Sequence, residues 1–241
     1  MTGLQKEVIM RKTAIGVNEA GQRLDKYLSK YLSKAPKSFL YKMLRKKNIT
    51  LNNKKADGSE KLSVGDQVTF WLSDETIDGF REDKAKLFNK SSAYITPDVI
   101  YEDKDILIMN KPVGMLSQKA DPEDMSLNEH FILWMLDTGR ITANDLQTFK
   151  PSVCNRLDRN TSGLICAGKT MKGLQFLSAG FKDRSFSKYY YCLVCGEMKD
   201  GARIKGYLSK DEKTNKVKIT QEAHHNADAI ETAYEPVFHT S

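Results

Sequence analysis

The chain has 241 residues and a net charge of +7, with 40% of residues hydrophobic and 29% charged. That is enough apolar material for two small domains or one of moderate size, and no apolar run reaches the length of a membrane span. No apolar signal segment follows the opening Met-Thr-Gly-Leu-Gln-Lys-Glu, so a cytoplasmic protein with no membrane partner is expected.

The charge is concentrated in one stretch. Between Arg23 and Trp71 twelve Lys and Arg stand against four Asp and Glu, a net of +8, so the rest of the chain is close to neutral. Positive charge gathered in one module is the footprint of a polyanion binder. After a polar lead-in over residues 1–12, Leu24, Tyr27, Leu28, Tyr31 and Leu32 recur at i, i+3, i+4, i+7 and i+8, the pattern of an amphipathic helix. Pro36 closes that unit. A second helix opens at Lys37 or Ser38 with Phe39, Leu40, Met43 and Leu44 inward, and Lys42, Arg45, Lys46 and Lys47 on its outer face and end. Asn48 is placed to end it in the left-handed conformation. Ile49–Asn52 reads as a strand, and Val64-Gly65-Asp66 as a turn into a further strand ending at Trp71.

These residues, with Arg23-Leu24-Asp25, resemble the RNA-binding module named after the fourth protein of the small ribosomal subunit. The candidate RNA contacts are Arg23, Lys42, Arg45, Lys46 and Lys47. Lysines on one helix face suit a phosphate backbone, with salt-dependent and weakly sequence-specific affinity. The alternative is a helical hairpin used for protein contacts. Residues 13–73 are therefore read as a basic RNA-binding domain, and the charged, aperiodic stretch 74–93 as a linker with room for a short helix.

From Tyr94 the composition changes. Val99–Asp103 and Ile106–Asn110 read as paired strands around the Lys104-Asp105 turn. Lys111-Pro112-Val113-Gly114 follows, where Pro and Gly fix the chain direction and a structural role is expected. Ser126-Leu127-Asn128-Glu129 has capping-box spacing ahead of a helix through Leu136 that Gly139 ends, with His130 and Trp134 as packing residues. A later helix over Thr170–Phe181 presents Met171, Leu174, Phe176 and Leu177 from one face. Phe186–Val194 reads as a strand, and the tail holds a lysine-rich turn (Lys210–Lys218) and a strand-like piece over Ala229–Phe238. Of the four cysteines, Cys192 and Cys195 have C-x-x-C spacing. No second pair matches it, and in a strand i and i+3 face opposite ways, so Cys154, Cys166, Cys192 and Cys195 are expected to be buried thiols and no metal site is assigned.

The most informative stretch is Cys154-Asn155-Arg156-Leu157-Asp158-Arg159-Asn160-Thr161-Ser162-Gly163, followed by the strand-like Leu164–Ala167. Thr, Ser and Gly place Asp158 on a tight loop against a sheet. Arginines on either side favour its ionised form, which can serve as nucleophile or base. On local chemistry alone, a surface salt bridge between Arg156 and Asp158 is the competing reading.

Asn155–Gly163 resembles the signature of the large-subunit (RluA-type) pseudouridine synthases: His-Arg-Leu-Asp, two variable residues, then Thr-Ser-Gly, with Asn155 in place of His. Ile106–Gly114 is similar to a second motif of that family, and Lys188-Tyr189-Tyr190 with the apolar residues after it to a third. The resemblance implies an α+β protein: a helix-and-strand RNA-binding domain, then a largely antiparallel pseudouridine synthase domain over 94–241. It implies an isomerase that breaks the uracil N1 to ribose bond, turns the base and rejoins it through C5, with no cofactor. Asp158 would supply the essential carboxylate, attacking the ribose carbon or removing a ribose proton. The target nucleotide must be flipped out of its stack; Arg156 would fill the vacancy or grip phosphate, and Tyr190 would cover the flipped uracil. RNA is the implied partner, ribosomal RNA ahead of transfer RNA. The family's C-terminal motif, with His-Gln and a basic residue that pairs with the aspartate, has no counterpart. None of His130, His224, His225 and His239 precedes Gln. The catalytic domain is thus expected to be C-terminally incomplete, and the alternative function is an inactive relative that binds RNA.

Overall fold

The computed structural model describes residues 10–82, 93–211, 214, 216–223 and 227–238. His224, His225 and His239, and half of the expected linker (83–92), lie outside the described residues. The chain divides into two compact units, Met1–Ser187 and Lys188–Ser241. The protein is α+β with antiparallel sheets.

The first unit holds two hydrophobic cores. One lies under a sheet of β1 (Met10–Ala14), β2 (Ile49–Leu51), β3 (Lys54–Lys55) and β4 (Gln67–Trp71), in the order β1-β4-β2-β3. Helices α1 (Leu24–Tyr31) and α2 (Lys37–Arg45) bury the apolar faces that their 3.6-residue periodicity sets out: Leu24, Tyr27, Leu28 and Tyr31 from α1, and Leu40, Met43 and Leu44 from α2. They meet Ile49, Val68 and Phe70 from the sheet. Phe39 is only partly buried against this core.

Three details differ from the sequence reading. The polar lead-in ends in strand β1, whose five residues pair with β4 from Met10↔Trp71 to Ala14↔Gln67; its alternation carries too few apolar side chains to show in the sequence. The left-handed residue after α2 is Lys47 (φ 60°), one place before Asn48. Asn48 instead uses its backbone N–H to bond the Met43 carbonyl at 2.9 Å, closing the helix end. The stretch read as linker begins with α3 (Asp74–Phe80), capped by Ser73, and its Ile77 is fully buried in this first core.

The second core lies under β5 (Asp98–Glu102), β6 (Ile106–Lys111), β7 (Ser152–Val153) and β8 (Gly163–Gly168), all antiparallel in the order β5-β6-β8-β7. Helix α4 (Leu127–Asp137) packs Leu127, Phe131, Ile132, Trp134 and Met135 against Leu107, Met109, Ile165 and Ala167. Gly139 ends the chain's turn beyond it at φ 67°. His130 and Trp134 are both buried packing residues; the Nδ1 of His130 accepts the Ile95 N–H at 3.1 Å, and burial pushes the imidazole pKa down. The capping-box residues pair differently from expectation. Ser126 donates its hydroxyl to the Glu129 carboxylate, both groups being buried, and neither side chain caps the helix backbone.

Helix α5 (Met171–Lys182), capped by Thr170, lies along β8. Gly173 is required there, because a Cβ would run into the Asp105 carbonyl. Met171 and Leu177 are buried as the periodicity predicts, but Phe176 is exposed and meets Phe186 edge-on.

The second unit carries β9 (Ala202–Lys210), β10 (Val217–Thr220) and β11 (Asp228–Tyr234), an antiparallel sheet in the order β10-β9-β11. The expected strand over Phe186–Val194 does not form: 187–194 joins no ladder among the described residues. β-Branched and aromatic content favours extended backbone but supplies no partner for its N–H and C=O groups. The final strand stops at Tyr234, short of Phe238. Cys192 and Cys195, expected to be buried, are exposed for the same reason, while Cys154 and Cys166 are partly buried. Among the described residues no group of three His, Cys, Asp or Glu could hold a metal ion. No helix is long and apolar enough to cross a membrane.

Candidate active site and nucleic-acid interface

The Asp158 loop is built from the ends of two strands. Strand β8 pairs with β6 from Ile106↔Gly168 to Lys111↔Gly163, so the loop leaves the sheet beside Lys111. Its first residues extend the other side of the ladder. The Cys154 N–H bonds the Cys166 carbonyl at 2.7 Å, the Asn155 amide oxygen accepts the Cys166 N–H at 2.7 Å, and its Nδ2 donates to the Leu164 carbonyl at 3.1 Å. Asn155 thus replaces two ladder bonds where the strand breaks off, a structural task that a side-chain amide performs well.

The middle of the loop is held from Gly114–Ser117. The buried Ser117 hydroxyl donates to the Leu157 carbonyl at 2.7 Å and accepts the Leu157 N–H at 3.0 Å. Gly114 donates its N–H to the Arg159 carbonyl at 2.8 Å, and Arg159 returns Nε to the Gly114 carbonyl at 3.0 Å. Gly114 sits at φ 88°, a conformation that glycine adopts without strain. The loop closes on itself where Thr161 N–H bonds the Asp158 carbonyl at 3.0 Å.

Lys111 is the central tie. Strand β6 buries alternate residues, and period two puts Lys111 on the same inward face as Leu107 and Met109. Its side chain is 0% exposed. The ammonium donates to the carbonyls of Pro112 (3.0 Å), Met115 (2.8 Å) and Arg159 (3.4 Å). Burial pushes the pKa of this lysine down, and the Asp158 carboxylate opposes that shift. A structural role for Lys111-Pro112 was the sequence expectation; the structure adds that the lysine buries its ammonium beneath the Asp158 loop. The only signal for it was a lysine at an inward position of an otherwise apolar strand.

Asp158 itself is exposed, and among the described residues its carboxylate makes no ion pair and no hydrogen bond. The surface salt bridge to Arg156 is therefore not formed, and Arg156 is likewise exposed without a partner among the described residues. Tyr190 belongs to the second unit, where its ring is 61% exposed in the unpaired 187–194 stretch. The strand expected over Phe186–Val194 would have packed this residue in a sheet; without that ladder it stands exposed.

The sequence-selected cations of the basic module are all exposed. Lys42, Arg45, Lys46 and Lys47 make no ion pair among the described residues, whereas Arg23 is engaged with Asp25 through two bonds of 3.1 Å. The module is tied to the second core: Thr148 donates its hydroxyl to Glu19 at 2.6 Å, and Gln175 donates to the Gly21 carbonyl at 2.9 Å.

Both regions match known families. Residues 22–68 match the S4 domain, and residues 105–240 match RNA pseudouridylate synthase. The chain belongs to the RNA pseudouridylate synthase family, in the RluA-type branch that carries an N-terminal S4 domain. It is 31% identical over 207 residues to ribosomal large subunit pseudouridine synthase C of Vibrio vulnificus, covering 83% of this chain and 60% of that protein. It is 28% identical over 213 residues to an uncharacterized RNA pseudouridine synthase of Mycoplasma pneumoniae, covering 88% and 64%. With ribosomal large subunit pseudouridine synthase D of Borreliella burgdorferi the identity is 26% over 210 residues, covering 87% and 62%. The chain thus spans under two thirds of the length of these relatives.

Proposed function

We propose that this protein isomerises uridine to pseudouridine in RNA, with large-subunit ribosomal RNA in the cytoplasm as the substrate its named relatives suggest. The observation that carries this reading is the state of Asp158: a carboxylate without side-chain partners on a loop whose backbone is tied down by Asn155, Ser117, Gly114 and Lys111. Side chains that only stabilise a fold use their polar atoms in doing so; a reactive group is held rigid while its reacting atoms stay available. Asp158 supplies the carboxylate while the C1′ bond to N1 breaks and the bond to C5 forms; the C5 proton leaves to solvent and N1 takes up a proton from it, so that the reaction is a net isomerisation. Arg156 fills the stack vacated by the flipped nucleotide or grips phosphate, and Tyr190 covers the uracil face. Residues 13–73, with Arg23, Lys42, Arg45, Lys46 and Lys47, bind the RNA backbone, and 94–241 carry the chemistry.

The test is tritium release from RNA labelled at uracil C5. The chain should release tritium, and Asp158→Asn should abolish release while RNA affinity is little changed. Release that survives the substitution overturns the assignment of Asp158. Salt-sensitive RNA binding without release by the unaltered chain would make it an RNA-binding relative only.

A further inference from the structure

Helix α2 sets Lys37, Tyr41 and Arg45 at i, i+4 and i+8, one above another on its solvent side. Tyr41 is 40% exposed, a single ring among Lys37, Ser38, Lys42 and Arg45. Its orientation is fixed: the hydroxyl donates to Asp25 at 3.1 Å, and Asp25 is held in turn by Arg23. The ring forms a wall shared by two clefts. The narrower, about 40 Å³, is lined by Lys26 and Lys37 and by Asp25, whose carboxylate is taken up by Arg23 and the Tyr41 hydroxyl. The wider, about 480 Å³, is lined by Ser38, Arg45 and Lys55. These four cations are exposed and make no ion pair among the described residues. Asp57 also lines the wider cleft, but its carboxylate is turned into its own turn, accepting the Ser59 N–H at 2.8 Å and hydroxyl at 2.6 Å.

We propose that Tyr41 is a stacking platform for one unpaired base of the RNA, with the flanking phosphates on Arg45 and Lys55 on one side and on Lys26 and Lys37 on the other. A fixed aromatic face between two cationic clefts matches the alternation of base and phosphate along a single strand. A duplex keeps its bases stacked inside and offers only phosphates, so it would use the lysines and leave the ring idle. This makes the module a reader of unpaired RNA, and it rests on the preceding reading only in taking RNA as the partner.

The experiment is fluorescence anisotropy of the full chain with a labelled short single-stranded RNA and with the same sequence as a duplex, each over a salt series. Tyr41→Leu should weaken single-strand binding about tenfold, within the range that stacking on one aromatic provides, with the salt slope unchanged and duplex binding unaffected. Tyr41→Trp, which keeps a ring in place, should bind the single strand at least as well as the unaltered chain. Arg45→Ala should reduce the salt slope by about 0.7 on the single strand. Equal losses on both RNAs, or a Tyr41→Leu variant that binds the single strand normally, would overturn the platform. An unaltered chain with no salt-dependent RNA binding would count against RNA as the partner altogether.

Discussion

The Asp158 loop and the stretch Lys188–Val194 make an instructive pair. Both resemble family motifs, and both carry a residue proposed to touch the flipped nucleotide. In the first, Asn155, Leu157 and Arg159 are each held by hydrogen bonds from β8 or from Gly114–Ser117, and the loop sits over a buried ammonium. In the second, Tyr189, Tyr190, Tyr191 and Leu193 are all exposed, and the backbone joins no ladder among the described residues. A motif specifies residue types, but order comes from partners, and those partners lie elsewhere in the sequence. Local chemistry can be equally strong at two places while, among the described residues, only one makes the hydrogen bonds that hold it.

This contrast is tested most severely at Lys111. Lys111→Met removes the donor for three carbonyls in a buried place and should cost about 3 kcal/mol of stability in a denaturant titration. Turnover in the tritium assay should fall by more than RNA affinity does, because the Arg159 side of the loop is released. Normal stability would show that the clamp is not what holds the loop. Next in size is Glu102, which Arg140 bridges with bonds of 3.0 and 3.1 Å and Lys169 with one of 2.6 Å, joining β5, the end of α4 and the end of β8. The Arg140 hydrogen bonds, then the Lys169 bond, pull the Glu102 pKa down from 4.5 to about 2. A depressed carboxylate contributes stability that is complete above its unfolded pKa and lost as pH falls through the folded one. Glu102→Gln should therefore cost about 2 kcal/mol at neutral pH, with the gap to the unaltered chain closing from about pH 4.5 towards pH 2. A gap independent of pH would exclude this linkage. Ser117→Ala deletes both bonds to Leu157 and should cost about 1 to 2 kcal/mol and slow turnover. The smallest effect is expected at Tyr190: an exposed ring in an unpaired segment should be replaceable by Ala within about 0.5 kcal/mol of stability, yet with a loss of turnover. A large destabilisation would show that the segment has structural partners after all.

Much of the fold was legible because its periodicities are strong. Leu24–Leu32 and Phe39–Leu44 show their helix faces outright, and the hairpin of β5 and β6 is announced by two apolar runs around Lys104-Asp105. The Asp158 loop was legible from its turn chemistry and its resemblance. What was hidden depends on partners distant in sequence. Strand β1 exists because β4 offers an edge, and its own residues, Met10-Arg11-Lys12-Thr13-Ala14, carry no clear alternation. Phe186–Val194 has the composition of a strand without the neighbour. Ser126 and Glu129 have capping spacing, but the side chains found each other before the backbone. Tyr41 was passed over because one aromatic among lysines has no signature until two clefts are seen to meet at it.

The Lys111 clamp has a consequence for proton traffic. An ammonium owns three hydrogens, and here three carbonyls claim them. None is left over to donate to Asp158, so the lysine acts on that carboxylate through its field alone. It is a poor proton shuttle, since giving up a hydrogen would leave a buried carbonyl without its donor. Beneath the loop it serves as a charge fixed in place by its three carbonyls.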